Sequence, residues 1–198
     1  MRLNKLTNGQ RLRHRLLLAL MERMNGAPAP DVMRALLYRP DYFGRPYSAW
    51  LHAVMRGPSP WSMGERELIA AFTSHQNQCQ FCVIGHAAAA ARALGDASTV
   101  QAALEASPPA PLDDRMKAVL GLVKKLTLTP EDVEVADIEQ VRDAGVGDAA
   151  IEEALTICAL FNIINRLADA FDFDTSLGEQ PEMVSKSADV LLKRGYAI

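Results

Sequence analysis

The sequence has little of what would mark a secreted, membrane-spanning or nucleic-acid-binding protein. Three cysteines in 198 residues are too few for the disulfide framework of a small secreted fold. Positive charge is not in excess: 21 basic against 24 acidic residues give a formal net charge of −3, so no broad positive field draws a nucleic-acid backbone. The basic start, Met1 to Arg15, runs into a short apolar patch, Leu16 to Met21. Glu22 and Arg23 interrupt that patch and no small-residue cleavage site is evident, which argues against a secretion signal. Other apolar runs read as shorter than the about 20 residues a bilayer requires. Sustained two-residue alternation is missing too, and Asn-Gly occurs only at Asn8-Gly9 and Asn25-Gly26 without flanking strand patterns. Together these absences predict a soluble, cytoplasmic, all-α protein with neither nucleic acid nor membrane as a partner.

What is present reads as globular. Apolar residues make up 49% of the chain, and the 12 glycines and 11 prolines gather at boundaries. The expectation is one domain, with residues 1–57 as an N-terminal helical segment packed on a core of residues 58–198. Leu12, Leu16, Leu17, Leu20 and Met24 recur at helical spacing and predict an amphipathic first helix, stopped by Asn25-Gly26. A short helix follows from Asp31 to Leu37, then a break at Arg39-Pro40. Pro46 is placed to open the next helix, carrying Trp50, Leu51, Val54 and Met55 to Gly57. Ser62-Met63-Gly64-Glu65 has the form of a capping box, so a helix starts there and carries Glu67. Asn77, with Gln80 three residues later, predicts a new helix start just before Cys79, and Gly95 stops that helix. A further helix is predicted over Ala97 to Ala106, ahead of the Pro-rich linker Pro108 to Pro111. Asp113 caps a helix to about Leu126, Thr129-Pro130 opens another, and Asp148 caps the last long one.

The chemistry lies in Cys79, Cys82, His86 and Glu67. Positions 79, 82 and 86 are three and then four apart, so on one helix they share a face. The start of that helix is the positive end of its dipole, where C-x-x-C thiols have lowered pKa values and yield the reactive thiolate. His86, one turn after Cys82, is a base and acid for an attacking thiol. Glu67, on the preceding helix, can orient the imidazole or exchange protons with the thiols if the two helices fold back on each other. Attack of Cys82 on a peroxide would leave a sulfenic acid, which Cys79 is near enough to convert to a disulfide. An external dithiol must then reduce it.

Other readings compete. A C-x-x-C also serves zinc, but C-x2-C-x3-H supplies three ligands where structural sites take four, and only His75 stands near as a further one. Plain core cysteines, a general disulfide reductase and a redox-sensing helical oligomer remain open. Cys158, in the apolar stretch Leu155 to Phe161, reads as packing. Asn162, Asn165 and Arg166 form a polar cluster that reads as helix or subunit pairing, and His14 and His52 have no evident partner.

The stretch E-R-E-L-I-A-A-F-T-S-H-Q-N-Q-C-Q-F-C-V-I-G-H resembles the carboxymuconolactone decarboxylase-like superfamily, in its AhpD-like alkylhydroperoxidase branch, with Glu67, Cys79, Cys82 and His86 in that family's order and spacing. V-R-D-A-G-V-G-D-A-A-I-E-E-A and A-L-F-N-I-I-N-R-L-A-D-A are similar to its closing helix, so the likeness spans about Ser59 to Phe173. The resemblance implies an all-helical fold assembled as trimers or hexamers, and a peroxidase or disulfide reductase cycle. Cys82 would be the peroxidatic thiol, Cys79 its resolving partner, and Glu67 with His86 the proton relay. The resulting expectation is an enzyme with no bound metal, haem or flavin that reduces a small-molecule hydroperoxide, and the resemblance implies electrons from a thiol reductant protein, lipoyl-bearing in the best-studied members. Those members carry a histidine between the two cysteines. Phe81 stands there in this chain, so no proton passes through that position.

Overall fold

A computed structural model of the chain describes residues 1–26, 28–105 and 111–198, and among these every regular element is helical. The helices are α1 (Asn4–Asn8), α2 (Leu12–Asn25), α3 (Asp31–Tyr38), α4 (Arg45–Arg56), α5 (Met63–Gln76), α6 (Gln80–Leu94), α7 (Ala97–Glu105), α8 (Asp114–Leu128), α9 (Val135–Asp143), α10 (Asp148–Phe171) and α11 (Pro181–Arg194). The linker predicted at Pro108 to Pro111 falls, apart from Pro111, outside the described residues.

Several starts lie where the sequence supplies caps. Ser62 Oγ accepts from the Glu65 amide at 3.2 Å while the Glu65 carboxylate accepts from the Ser62 amide at 2.7 Å, closing the capping box that opens α5. Asp113 accepts from the Met116 amide at 2.7 Å and opens α8. Pro46 sits in the first turn of α4, where its missing N–H costs nothing. Two starts outside the cysteine segment differ from expectation. Thr129-Pro130 begins only a single 3₁₀ turn, Pro130–Asp132, and α9 starts later, on Glu134, whose amide is accepted by Asp137 at 2.7 Å. Asp148 is the first residue of α10, and Gly147 is its cap; the carboxylate there favours the positive helix end and pairs with Arg142 at 2.7 Å.

α5 and α6 fold back on each other across residues 77–79. α10 and α8 pack on α5, and α11 packs on α6. The core between them is built from Trp61, Leu68, Ile69, Val119, Val123, Ile157, Leu160 and Phe161, all buried. Polar tips entering it are satisfied: Trp61 Nε1 donates to the Ala150 carbonyl at 2.8 Å and the Tyr47 hydroxyl to the Leu160 carbonyl at 2.9 Å. Tyr47, Leu51 and Met55 of α4 belong to this same core. Where α3 runs into α4 only glycine fits, because a Cβ on Gly44 would lie 2.0 Å from the Leu36 carbonyl oxygen.

Three further differences from the sequence reading matter. α10 is 24 residues with a mean hydropathy of 1.4 over its most apolar window, long and apolar enough to cross a membrane, against the expectation that no run is. Its apolarity is that of a core helix: Ile157, Cys158 and Leu160 are fully buried among α4, α5 and α8. The apolar stripe of α2 faces outward, with Leu12 71%, Leu16 64%, Leu20 53% and Met24 60% exposed. α2 contacts the rest of the chain instead through Leu18, which forms a small second cluster with Ala29 and Leu37, and through Glu22, which pairs with Arg34 at 2.6 Å. Finally, the sequence reading gives no element beyond the helix of Cys158, whereas α11 and the tail after it lie against α6 and α4.

Candidate active site

The connection between α5 and α6 sets the position of the two thiols. α5 ends at Gln76, Gln78 takes a left-handed conformation (φ 59°), and the Cys79 amide turns back to the Ser74 carbonyl at 2.9 Å. Asn77 is therefore not the cap of the cysteine helix, as predicted, but the closing residue of α5. Cys79 itself is the N-cap of α6, and Cys82 lies in its first turn. Freed from capping, the Asn77 amide donates to Asn165 Oδ1 at 3.0 Å and Asn162 Oδ1 at 3.2 Å.

Both thiols are buried and free, and the Cys82 thiol is hydrogen-bonded to Cys79. A hydrogen bond from Cys82 holds the Cys79 thiol below its ordinary value, against the opposing effect of burial. The same bond, which fixes the proton on Cys82, together with burial pushes the Cys82 thiol well above its ordinary value. The lowering expected for both sulfurs at a helix N-terminus thus falls on Cys79. Asp169 stands against Cys79 and Asn165 against Cys82. Asn165 is itself fully buried and donates to Ser74 Oγ at 3.0 Å, so the amide beside Cys82 has little freedom. A recess of about 220 Å³ opens among Gln78, Gln80, Phe81, Asp169 and Phe173, lined by the two chain neighbours of Cys79 and not by the buried thiol itself. Phe81 lines it, with its ring meeting Phe173 edge-on at 5.1 Å.

Glu67, on α5, is brought to the same place by the fold-back of the two helices. It is fully buried and its carboxylate takes three donors from three segments. Oε2 accepts from His86 Nδ1 at 2.7 Å, and Oε1 accepts from Arg56 Nη2 at 2.6 Å and from the Tyr196 hydroxyl at 2.7 Å. Burial alone would raise this carboxyl. The His86 hydrogen bond and charge, the Arg56 charge and the Tyr196 hydroxyl overcome it and hold Glu67 below the usual carboxylate range. Whenever the imidazole carries a single proton, an ionised Glu67 keeps that proton on Nδ1 and leaves Nε2 as the acceptor. The imidazole is held between Phe161, edge-on at 4.6 Å, and the Tyr196 ring, stacked at 6.0 Å.

All four predicted residues lie at the α5–α6 pair, and the structure adds Arg56 and Tyr196. Neither carried a local signal: in the sequence Arg56 is one charge at a helix end and Tyr196 lies in a tail with no assigned element. Asn162 and Asn165 pair across helices as predicted, and Arg166 donates to Asn162 Oδ1 at 2.7 Å. Cys158 is packing: it is fully buried, 3.3 Å from Thr127 Oγ1, and burial raises its thiol. Among the described residues, no three His, Cys, Asp or Glu side chains are grouped to hold a metal ion.

Residues 42–125 match the model of the carboxymuconolactone decarboxylase family. No curated protein matches the chain. Among solved structures, an uncharacterized peroxidase-related protein from Silicibacter sp. TM1040 is 27% identical, with a TM-score of 0.73 over 85% of this chain and 87% of that one. The alkylhydroperoxidase AhpD core protein of Ralstonia eutropha JMP134, also described as peroxidase-related, is 26% identical, with a TM-score of 0.72 over 86% and 91%. The debrominase Bmp8 shares the fold at 16% identity, with a TM-score of 0.69 over 89% and 92%. Over residues 42–125 the chain is thus similar to the carboxymuconolactone decarboxylase family, and over most of its length it has the fold of AhpD-like, peroxidase-related proteins.

Proposed function

We propose that the protein is a thiol-dependent peroxidase that reduces a hydroperoxide at Cys82. The observation that carries this reading is the Glu67–His86 pair, an ionised, triply bonded carboxylate fixing one imidazole nitrogen and freeing the other one turn from Cys82. Cys82 is a poor nucleophile while it keeps its proton, which is why a base is needed. His86 Nε2 takes that proton. The thiolate attacks the terminal peroxide oxygen, an S–O bond forms as the O–O bond breaks, and His86 returns the proton to the departing alcohol oxygen. Cys79 then attacks the sulfenic sulfur, forming the disulfide and releasing water. A dithiol reductant restores both thiols, so one peroxide and one dithiol yield one alcohol, one water and one external disulfide. Glu67 serves here as an orienting group and electrostatic partner. Its depressed pKa makes it a poor proton carrier.

One observation favours a second reading. The lower-pKa thiol is Cys79, whose chain neighbours Gln78 and Gln80 line the recess, as suits a general thiol–disulfide oxidoreductase whose first cysteine attacks a protein disulfide. Peroxide consumption with excess dihydrolipoamide separates the two. The peroxidase is expected to turn over, with His86→Ala slowed by roughly 10²–10⁴-fold, the usual worth of a positioned acid–base group. Reduction of a disulfide substrate without peroxide turnover would select the second reading, and an unchanged His86→Ala rate across neutral pH would remove His86 from the mechanism.

Assembly follows from the outward stripe of α2. The family resemblance implies trimers or hexamers, and Leu12, Leu16, Leu20 and Met24 present contiguous apolar surface that association of copies would cover. The solution mass is expected to be a multiple of 21.6 kDa; the mass of a single chain would overturn this.

A further inference from the structure

The tail after α11 returns to the deepest charged group of the molecule. Gly195 makes this turn at φ 67° and ψ −144°, a conformation open essentially to glycine alone. A Cβ there would also lie 2.6 Å from His52 Nδ1. Ser48, His52 and Arg56 stand four residues apart on one face of α4 and latch the residue that follows. Ser48 Oγ donates to the Tyr196 carbonyl, the Tyr196 amide donates to His52 Nδ1 at 3.1 Å, and the Arg56 guanidinium lies 4.8 Å over the Tyr196 ring. His52, without a partner in the sequence reading, is thus part of this anchor.

The latch puts the Tyr196 hydroxyl 2.7 Å from Glu67 Oε1 and 3.4 Å from His86 Nδ1, and lays its ring nearly parallel to the imidazole, at 14°. We infer that Tyr196 is a positioning residue of the active site, donating to Glu67 and bracing His86, so that the C-terminal tail completes the catalytic constellation. A hydroxyl that is both buried and next to an anion keeps its proton, so toward Glu67 it acts only as a donor. The carboxylate is faced by Arg56 from α4, His86 from α6 and Tyr196 from the tail. Without the phenol, Oε1 keeps Arg56 alone and Glu67 becomes easier to protonate.

The inference rests on the proposed use of Glu67 and His86, and Tyr196→Phe tests it in the full chain. This variant keeps the ring, the stacking and both backbone anchors, and removes one charge-assisted hydrogen bond. Peroxide turnover is expected to fall roughly tenfold, as the loss of one such bond implies. The acid limb of the rate profile should also move to higher pH, because Glu67 protonates sooner. A merely structural tail would lower the melting temperature and leave that limb in place. The same rate and the same acid limb as the parent protein would overturn the inference. If the parent protein turns over no peroxide, the proposed function fails, and ¹⁵N shifts of the His86 ring against pH then decide on Tyr196. A change of Nδ1 titration in Tyr196→Phe sustains the positioning role, and identical curves end it. Should Tyr196→Phe melt below the assay temperature, Ser48→Ala, which loosens the latch with the phenol intact, is expected to shift the same limb in the same direction by less, and no shift counts against the inference.

Discussion

Cys82→Ser is expected to lose peroxide turnover completely, down to the background of peroxide with free dithiol, while Cys79→Ser should stop after one reaction per chain. The reason is the division of labour between the two sulfurs. A serine hydroxyl in place of Cys82 cannot take an oxygen atom, whatever base stands beside it, because the sulfur is the group that is oxidised. In Cys79→Ser the first step survives and the second has no partner. Mass measurement after one equivalent of peroxide reads this out directly. The parent protein should become two hydrogens lighter, Cys79→Ser one oxygen heavier, and Cys82→Ser should not change. Because the thiolate character rests on Cys79, the result that would reverse the assignment is equally definite: an added oxygen in Cys82→Ser and none in Cys79→Ser would make Cys79 the attacking thiol.

Glu67→Ala is expected to damage both stability and chemistry. It leaves the Arg56 guanidinium, whose side chain is 9% exposed, without its carboxylate, and the Tyr196 hydroxyl and His86 Nδ1 without an acceptor. Breaking a buried ion pair by removing one partner costs about 3–5 kcal/mol, so denaturant unfolding should show a loss of that order. A loss below about 1 kcal/mol would mean that these groups are solvated and not held by Glu67. Glu67→Gln separates charge from shape. It keeps an oxygen for Arg56 and Tyr196 but sets an amide toward His86 Nδ1, which favours the wrong tautomer, so turnover should fall by roughly 10²–10⁴-fold with a smaller loss of stability. The pH dependence has a definite sign. Since the folded carboxyl is held below its unfolded value, Glu67 contributes stability that is present above the unfolded value of about 4.3 and is lost as pH falls through the lower folded one. Glu67→Gln is therefore expected to flatten the acid side of the stability curve.

Much of the fold was legible because local rules decide helix starts. The capping box at Ser62 and Glu65, the cap at Asp113 and Pro46 in the first turn of α4 are each set within a few residues, and the structure keeps them. Asn77 shows where such rules stop. Its side chain suits an N-cap, but Asn162 and Asn165, more than eighty residues on, offer it two acceptors, and the helix starts at Cys79 instead. α2 fails for the related reason that periodicity names an apolar stripe without saying what covers it. Leu12, Leu16 and Leu20 follow the helical period and still face away from this chain's core.

The sequence by itself determined that the chain is helical, where most helices begin, and that Cys79, Cys82 and His86 share a short segment with Glu67 one helix before. These are properties of spacing, propensity and capping, which act over a turn or two. Only the tertiary structure decided what those four residues become. The fold-back of α5 and α6 buries Glu67 against His86, while the end of α4 and the C-terminal tail bring Arg56 and Tyr196 to its other oxygen. Those contacts span 11, 19 and 129 residues, distances over which no local preference carries information. They persist because a buried carboxylate is tolerable only where the packed elements surround it with donors.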